Sequence, residues 1–124
     1  QRGGARPSVT SQVNAEELTR LRHTAATVKC DDSVLDYALQ LVRATREDRQ
    51  VELGASPRAA QALLAAAKAR AALLGRDYVT PDEVKVVLRP VLNHRLKLKP
   101  EAELDGGSVD HLLGRLLEQV QVSR

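Results

Sequence analysis

From Pro57 to Leu74 the chain reads Pro-Arg-Ala-Ala-Gln-Ala-Leu-Leu-Ala-Ala-Ala-Lys-Ala-Arg-Ala-Ala-Leu-Leu, and this run limits the fold more than any other. Alanine is the strongest helix former. Ser56 suits an N-cap, Pro57 the first helical position, and Gly75 a C′ stop, so the spacing predicts a helix over 57–74. Ala60, Leu63, Leu64, Ala67, Ala71 and Leu74 recur at the 3.6-residue period. The opposite side is also largely alanine. Such a helix is expected at the centre of the domain with its neighbours close by.

Composition agrees with close helix packing. The 124 residues contain no Phe, Trp or Met and only two Tyr, so the core must be built from Leu, Val and Ala. The length suits one domain that buries roughly two-thirds of its unfolded surface. With 28% charged and 43% hydrophobic residues the chain is globular rather than disordered. Its net charge of +3 and pI near 9.4 permit contact with a polyanion without arguing for one. Cys30 is alone, which excludes an internal disulfide and a Cys-based metal site and fits a reducing cytoplasm. No apolar run approaches the ~18 residues of a membrane span, and no secretory signal is visible. The opening Gln1-Arg2-Gly3-Gly4, in a chain without Met, reads as the middle of a longer protein.

Other helices follow from caps and periodicity. Residues 1–12 are rich in Gly, Arg, Ser and Pro and read as a tail or linker. Asn14 with Glu17 starts a first helix over 14–28, with Leu18, Leu21, Ala25 and Val28 on one face. Val28, Lys29 and Cys30 form a short extended link. Asp31 or Asp32 caps a second helix ending near Asp48, with Val34, Leu35, Ala38, Leu41, Val42 and Thr45 as its apolar stripe. Residues 50–55 read as a loop. Thr80-Pro81-Asp82-Glu83 is a complete helix start with a capping box. The helix behind it carries Val84, Val87, Leu88, Val91 and Leu92, and Pro90 is expected to kink or break it near 86–89. Residues 96–99 alternate and suit a short strand or extended segment. Asp105-Gly106-Gly107 is a turn, and a last helix over 108–120 carries Val109, Leu112, Leu113, Leu116, Leu117 and Val120. The expected architecture is an all-α bundle of four to five helices spanning 13–124.

Little in this chain suggests chemistry of its own. It has no phosphate-binding glycine loop. His23, His94 and His111 have no helical partnering with one another or with a carboxylate cluster, so no metal site and no catalytic residue is assigned. The acids at Glu16/Glu17, Asp31/Asp32 and Asp82/Glu83 all sit at helix starts, where capping and the helix dipole explain them. Arg43, Arg46, Arg49, Arg89, Arg95, Lys97 and Lys99 form either a basic patch or a solvated face. Aromatic stacking platforms for nucleic acid are missing. Arg58 is the exception. It sits in the first turn of the alanine-rich helix, where a cation is unfavourable by roughly 0.3–1 kcal/mol. It is either an ordinary exposed arginine or one placed for an anion, since free N–H groups and a guanidinium converge there. Gln61, Ala65 and Lys68 share its face.

Three blocks carry a family resemblance: Gly54-Ala55-Ser56-Pro57-Arg58-Ala59, then Gly75-Arg76-Asp77-Tyr78-Val79-Thr80-Pro81-Asp82-Glu83-Val84, then Val91-Leu92-Asn93-His94-Arg95-Leu96. With Asp36-Tyr37, Thr45-Arg46-Glu47 and Val51-Glu52-Leu53 upstream, they resemble the C-terminal lid of MoxR-type AAA+ ATPases over residues 10–122. Magnesium-chelatase lids are similar but more distant. The resemblance implies that Arg58 is the sensor 2 residue reaching the nucleotide phosphates, in cis or to a neighbouring subunit. It implies that residues 1–12 lead from an ATPase core that holds ATP and Mg²⁺, with no cofactor bound by these 124 residues alone. The implied partners are that core, neighbouring subunits of a hexameric ring, and a von Willebrand factor A-type protein, in chaperone-like work in the cytoplasm. The chain by itself is expected to be monomeric and without ATPase activity. Cys30 and Asn93 depart from the family pattern, outside the sensor block. The alternatives are a stand-alone helical module that binds protein or DNA, and an enzyme in its own right.

Overall fold

A computed structural model describes residues 14–122, so the linker expected over 1–12 lies outside the described residues. In chain order the elements are α1 (Ala15–Thr27), α2 (Asp32–Glu47), β1 (Val51–Leu53), α3 (Pro57–Leu73), α4 (Pro81–Leu92), β2 (Lys97–Leu98), α5 (Pro100–Leu104) and α6 (Val109–Gln119). The protein is a small helical domain, as the periodicity implies. The alanine-rich α3 is central: it packs against α1, α2 and α4. Ala59, Ala60, Ala67 and Ala71 are buried along it, and their short side chains let the neighbouring helices come close.

Caps set the helix ends. Asn14 Oδ1 accepts from the Glu17 N–H at 2.8 Å. The Glu83 carboxylate closes the box at α4 by accepting from both the N–H (2.9 Å) and the hydroxyl (2.8 Å) of Thr80. Behind α3, Gly75 has φ +77°, the left-handed turn that glycine adopts freely. Its N–H bonds to Ala72 O at 3.0 Å and the Arg76 N–H to Ala71 O at 2.9 Å, which satisfies carbonyls that the helix leaves open.

Several details differ from the sequence reading. Residues 51–53 are a strand rather than loop, paired antiparallel with β2 through Val51–Leu98 and Leu53–Lys97. The partner strand lies more than forty residues away, so no local pattern announces the pair. A fifth, one-turn helix (α5) starts at Pro100 and is too short to show a periodic stripe. α4 is not broken at 86–89 but runs on to Leu92 with Pro90 in its last turn. The only backbone bond lost is to the carbonyl of Val86, a residue half exposed to water. On α2 the buried face carries Tyr37, while Leu35 is 39% exposed.

Buried side chains form two packets. The larger joins α2, α3 and α4 through Tyr37, Leu41, Leu63, Leu88 and Leu92, with Leu113 of α6. Tyr37 is completely buried, and its hydroxyl has no hydrogen-bond partner among the described residues. The smaller packet joins β1, β2, α5 and α6 through Val51, Leu98, Ala102, Leu112 and Leu116, and Leu96 and Val109 pack against both. A two-pronged ion pair clamps α6 to the end of α2: Arg115 reaches Asp48 with Nη1–Oδ2 at 2.7 Å and Nη2–Oδ1 at 3.2 Å. The extended link after α1 bridges in parallel to the link before α4. The Lys29 N–H bonds to Asp77 O at 2.8 Å and the Val79 N–H to Lys29 O at 2.9 Å.

Candidate functional site

Arg58 stands in the first turn of α3, and the residues leading to it are fixed by the end of α2. Thr45 is completely buried there. Its hydroxyl donates to the Val42 carbonyl at 2.6 Å and accepts from the Ala55 N–H at 3.1 Å. Gly54 passes so close to α2 that a Cβ on it would lie 2.6 Å from the Cα of Arg46. Only a residue without a side chain fits that crossing. Ala55 and Ala59 are both 0% exposed and act as pegs on either side of Ser56, Pro57 and Arg58, which face solvent. Directly before this loop, β1 is held by β2. The arginine is therefore mounted on backbone tied to α2 and to the C-terminal third of the chain.

At the tip, Ser56 occupies the N-cap with extended backbone (φ −72°, ψ 161°), but its side chain makes no capping bond. Its carbonyl accepts from the Ala59 N–H at 2.8 Å. The Arg58 side chain takes part in no hydrogen bond or ion pair within the described residues. An exposed guanidinium in the first turn and an uncapped helix start are each groups that an oxyanion can use. A phosphate oxygen fits this donor set. Full enclosure of a nucleotide would need further donors, because no glycine loop accompanies Arg58. Among the described residues no group of three or more His, Cys, Asp or Glu is placed to hold a metal ion.

The other candidate groups have structural duties or stay apart. Of the seven basic residues of the possible patch, Arg89 pairs with Asp110 at 2.8 Å, Lys97 with Glu52 at 3.3 Å, and Arg95 donates to the Val91 carbonyl at 2.9 Å. Arg43, Arg46, Arg49 and Lys99 are exposed and form no ion pairs among the described residues. His23, His94 and His111 are exposed. The side chains of Asn14, Thr80 and Glu83 do the capping work read from the sequence, whereas Asp31 holds an N-cap position without a side-chain bond.

Three supports do more than their place in the sequence announces. Thr45 reads there as a member of the α2 stripe and of the Thr45-Arg46-Glu47 block, with no sign that it accepts from the Ala55 N–H. Glu83 is buried, and besides capping α4 it receives Arg76 Nη1 at 3.1 Å. Burial alone would raise its carboxyl pKa, but the Thr80 donors and Arg76 outweigh that and hold it below the ordinary range. Asp48 is held low mainly by the Arg115 hydrogen bonds, against the opposing effect of burial. Arg115 lies 67 residues from Asp48, which no spacing rule reveals.

Comparison with known proteins gives a consistent set of relatives. The sequence profile of the AAA lid domain family matches residues 43–115. The chaperone MoxR1 of Mycobacterium tuberculosis is 36% identical over 96% of this chain and 34% of its own length. YeaC of Bacillus subtilis, an uncharacterized protein, is 36% identical over 86% of this chain and 33% of its own length. A crystal structure of a Cytophaga hutchinsonii protein, proposed there to be an ATPase, superposes with a TM-score of 0.82 at 33% identity. It covers 88% of this chain and 36% of that one. The chain thus spans about a third of the length of the relatives it matches.

Proposed function

This chain belongs to the AAA lid domain family, with MoxR proteins among its relatives, and on that premise we propose that it presents Arg58 to the phosphates of ATP. The ATP and its Mg²⁺ would be held by an ATPase core, of the same chain or of a neighbouring subunit in a ring. The observation that carries this reading is the mounting of Arg58: exposed, with no side-chain partner among the described residues, at an uncapped helix start, on a loop pinned by Thr45 and Gly54.

Such a mounting suits a reporter of nucleotide state. The guanidinium offers a contact that an ATP γ-phosphate can accept and that weakens once the phosphate leaves. Only a contact that differs between two states can shift the balance between them. Because the loop is bonded to α2, a pull on Arg58 is passed to the helical body rather than absorbed by a slack segment. Arg58 would also stabilise charge developing on the transferred phosphoryl group. Chaperone-like remodelling of a client would follow from the resulting lid motion.

The test is Arg58→Ala, with Arg58→Lys beside it, in the full-length ATPase. Turnover should fall on the order of 10²-fold for alanine, and lysine should restore part of the loss because it keeps the charge without the planar fork. Normal ATP turnover together with normal nucleotide-dependent assembly in Arg58→Ala would sink the proposal.

A further inference from the structure

Arg46 lies in the last turn of α2, against the loop that leads to Arg58, and the crossing at Gly54 fixes where its side chain leaves the helix. A Cβ on Gly54 would lie 2.6 Å from the Cγ of Arg46, as close as to its Cα. The glycine therefore makes room for the arginine stem as well as for the α2 backbone. With its first carbons laid over Gly54, Arg46 leaves α2 on the side of the loop. From Gly54 to Arg58 the chain advances four residues, at most about 14 Å. The loop between them is the one that Thr45, Ala55 and Ala59 hold in place.

Nothing nearby neutralises Arg46. The residues three and four positions away are Val42, Arg43, Arg49 and Gln50, none of them acidic and two of like charge. Asp48 and Glu52 are engaged by Arg115 and Lys97. Glu47 follows directly but points about 100° away around the helix, and the two form no ion pair. Arg46 is exposed, and its side chain takes part in no hydrogen bond or ion pair among the described residues. The dipole of α2 favours a cation in its last turn. That accounts for the charge but not for a stem seated on a glycine of the Arg58 loop. We propose that Arg46 is a second phosphate contact, so that the two guanidiniums flanking this loop take neighbouring phosphate groups of one polyphosphate chain. This rests on the nucleotide reading of Arg58 and adds a preference to it. One guanidinium grips one phosphate, whereas two on a pinned loop favour an anion charged on adjacent groups, as a nucleoside triphosphate is.

Titration of the 124-residue chain with inorganic tripolyphosphate into the millimolar range at low salt, followed by NMR of the arginine Nε–H and backbone amide signals, tests this. Arg46 and Arg58 should shift along one saturation curve, and orthophosphate should bind about tenfold more weakly. Arg46→Ala should weaken tripolyphosphate binding about tenfold, to the level of orthophosphate, and Arg46→Lys should recover part of the loss. Arg43→Ala removes the same charge one turn earlier on α2 and should change binding less than about twofold. Circular dichroism melts establish that each variant is folded. In the full-length ATPase, Arg46→Ala should raise the KM for ATP more than it lowers kcat. An Arg46→Ala chain that binds like wild type, or loses no more than Arg43→Ala, overturns the role of Arg46 and leaves that of Arg58 standing. An unchanged KM for ATP does the same. If tripolyphosphate shifts neither arginine, the pair is overturned, while turnover of Arg58→Ala still judges Arg58 alone. A tricarboxylate such as citrate bound as tightly as tripolyphosphate would make this a general anion contact and overturn the phosphate assignment.

Discussion

Replacing Thr45 by valine keeps the shape of the side chain and removes one oxygen. That oxygen is what the Ala55 N–H bonds to, at 3.1 Å, in a place where Thr45 and Ala55 are both 0% exposed. Valine would leave this N–H buried and unsatisfied, at a cost of about 1–3 kcal/mol. For a domain of this size each kcal/mol moves the melting temperature by about 4 °C, so a fall of about 4–12 °C is expected. Thr45→Ser is the control. It keeps both hydrogen bonds and gives up one buried methyl, worth about 0.8 kcal/mol. Thermal melts followed by circular dichroism measure the first effect, and amide hydrogen exchange measures the second: the Ala55 amide should lose protection in valine and keep most of it in serine. If Thr45→Val melts with the wild type and its Ala55 amide stays protected, the loop before Arg58 is not held by Thr45.

Four further expectations can be checked on the same chain. Gly54→Ala should destabilise the fold, because the new methyl meets the Arg46 backbone rather than a movable side-chain tip; a melt at or above wild type would contradict the close crossing. Tyr37→Phe should raise stability by about 1 kcal/mol, since it removes a buried hydroxyl that has no partner among the described residues; denaturant titration decides the sign. Arg58→Ala should leave the melting temperature unchanged or slightly higher, because it takes a cation away from a helix N-terminus; a large loss would make Arg58 a structural residue. Glu83 and Asp48 both have carboxyl pKa values lowered by folding, so their contribution is complete above the unfolded carboxylate pKa and is lost as the pH falls through the lowered value. Stability should therefore drop on acidification below about pH 4.5, and Glu83→Gln with Asp48→Asn should flatten that part of the profile.

What the sequence made legible was local. The alanine run, the Thr-Pro-Asp-Glu start and Gly75 each name their own conformation, and all three stand where their chemistry puts them. What it hid depends on distance along the chain. Val51 and Leu98 become neighbours only once α3 and α4 are folded between them, and Asp48 meets Arg115 for the same reason. Leu35 was misplaced because it belongs to the apolar set although it lies at the edge of the α2 stripe, while Tyr37 one half-turn away takes the core position. At the candidate site the letters pointed to Arg58 but not to its mounting. Thr45 shows its meaning only when the Ala55 N–H arrives beside it.

The clamp of Arg115 on Asp48, with β2 laid against β1, ties α6 to the backbone that leads into Arg58. The C-terminal helix is thereby a mechanical handle on the arginine. A fluorescent or spin label on Glu118 or Gln119, exposed and outside the clamp, would travel with Arg58 while leaving its surroundings chemically untouched. The same coupling warns against trimming: a chain cut after Leu92 would keep α3 whole and yet lose the strut that aims its first turn.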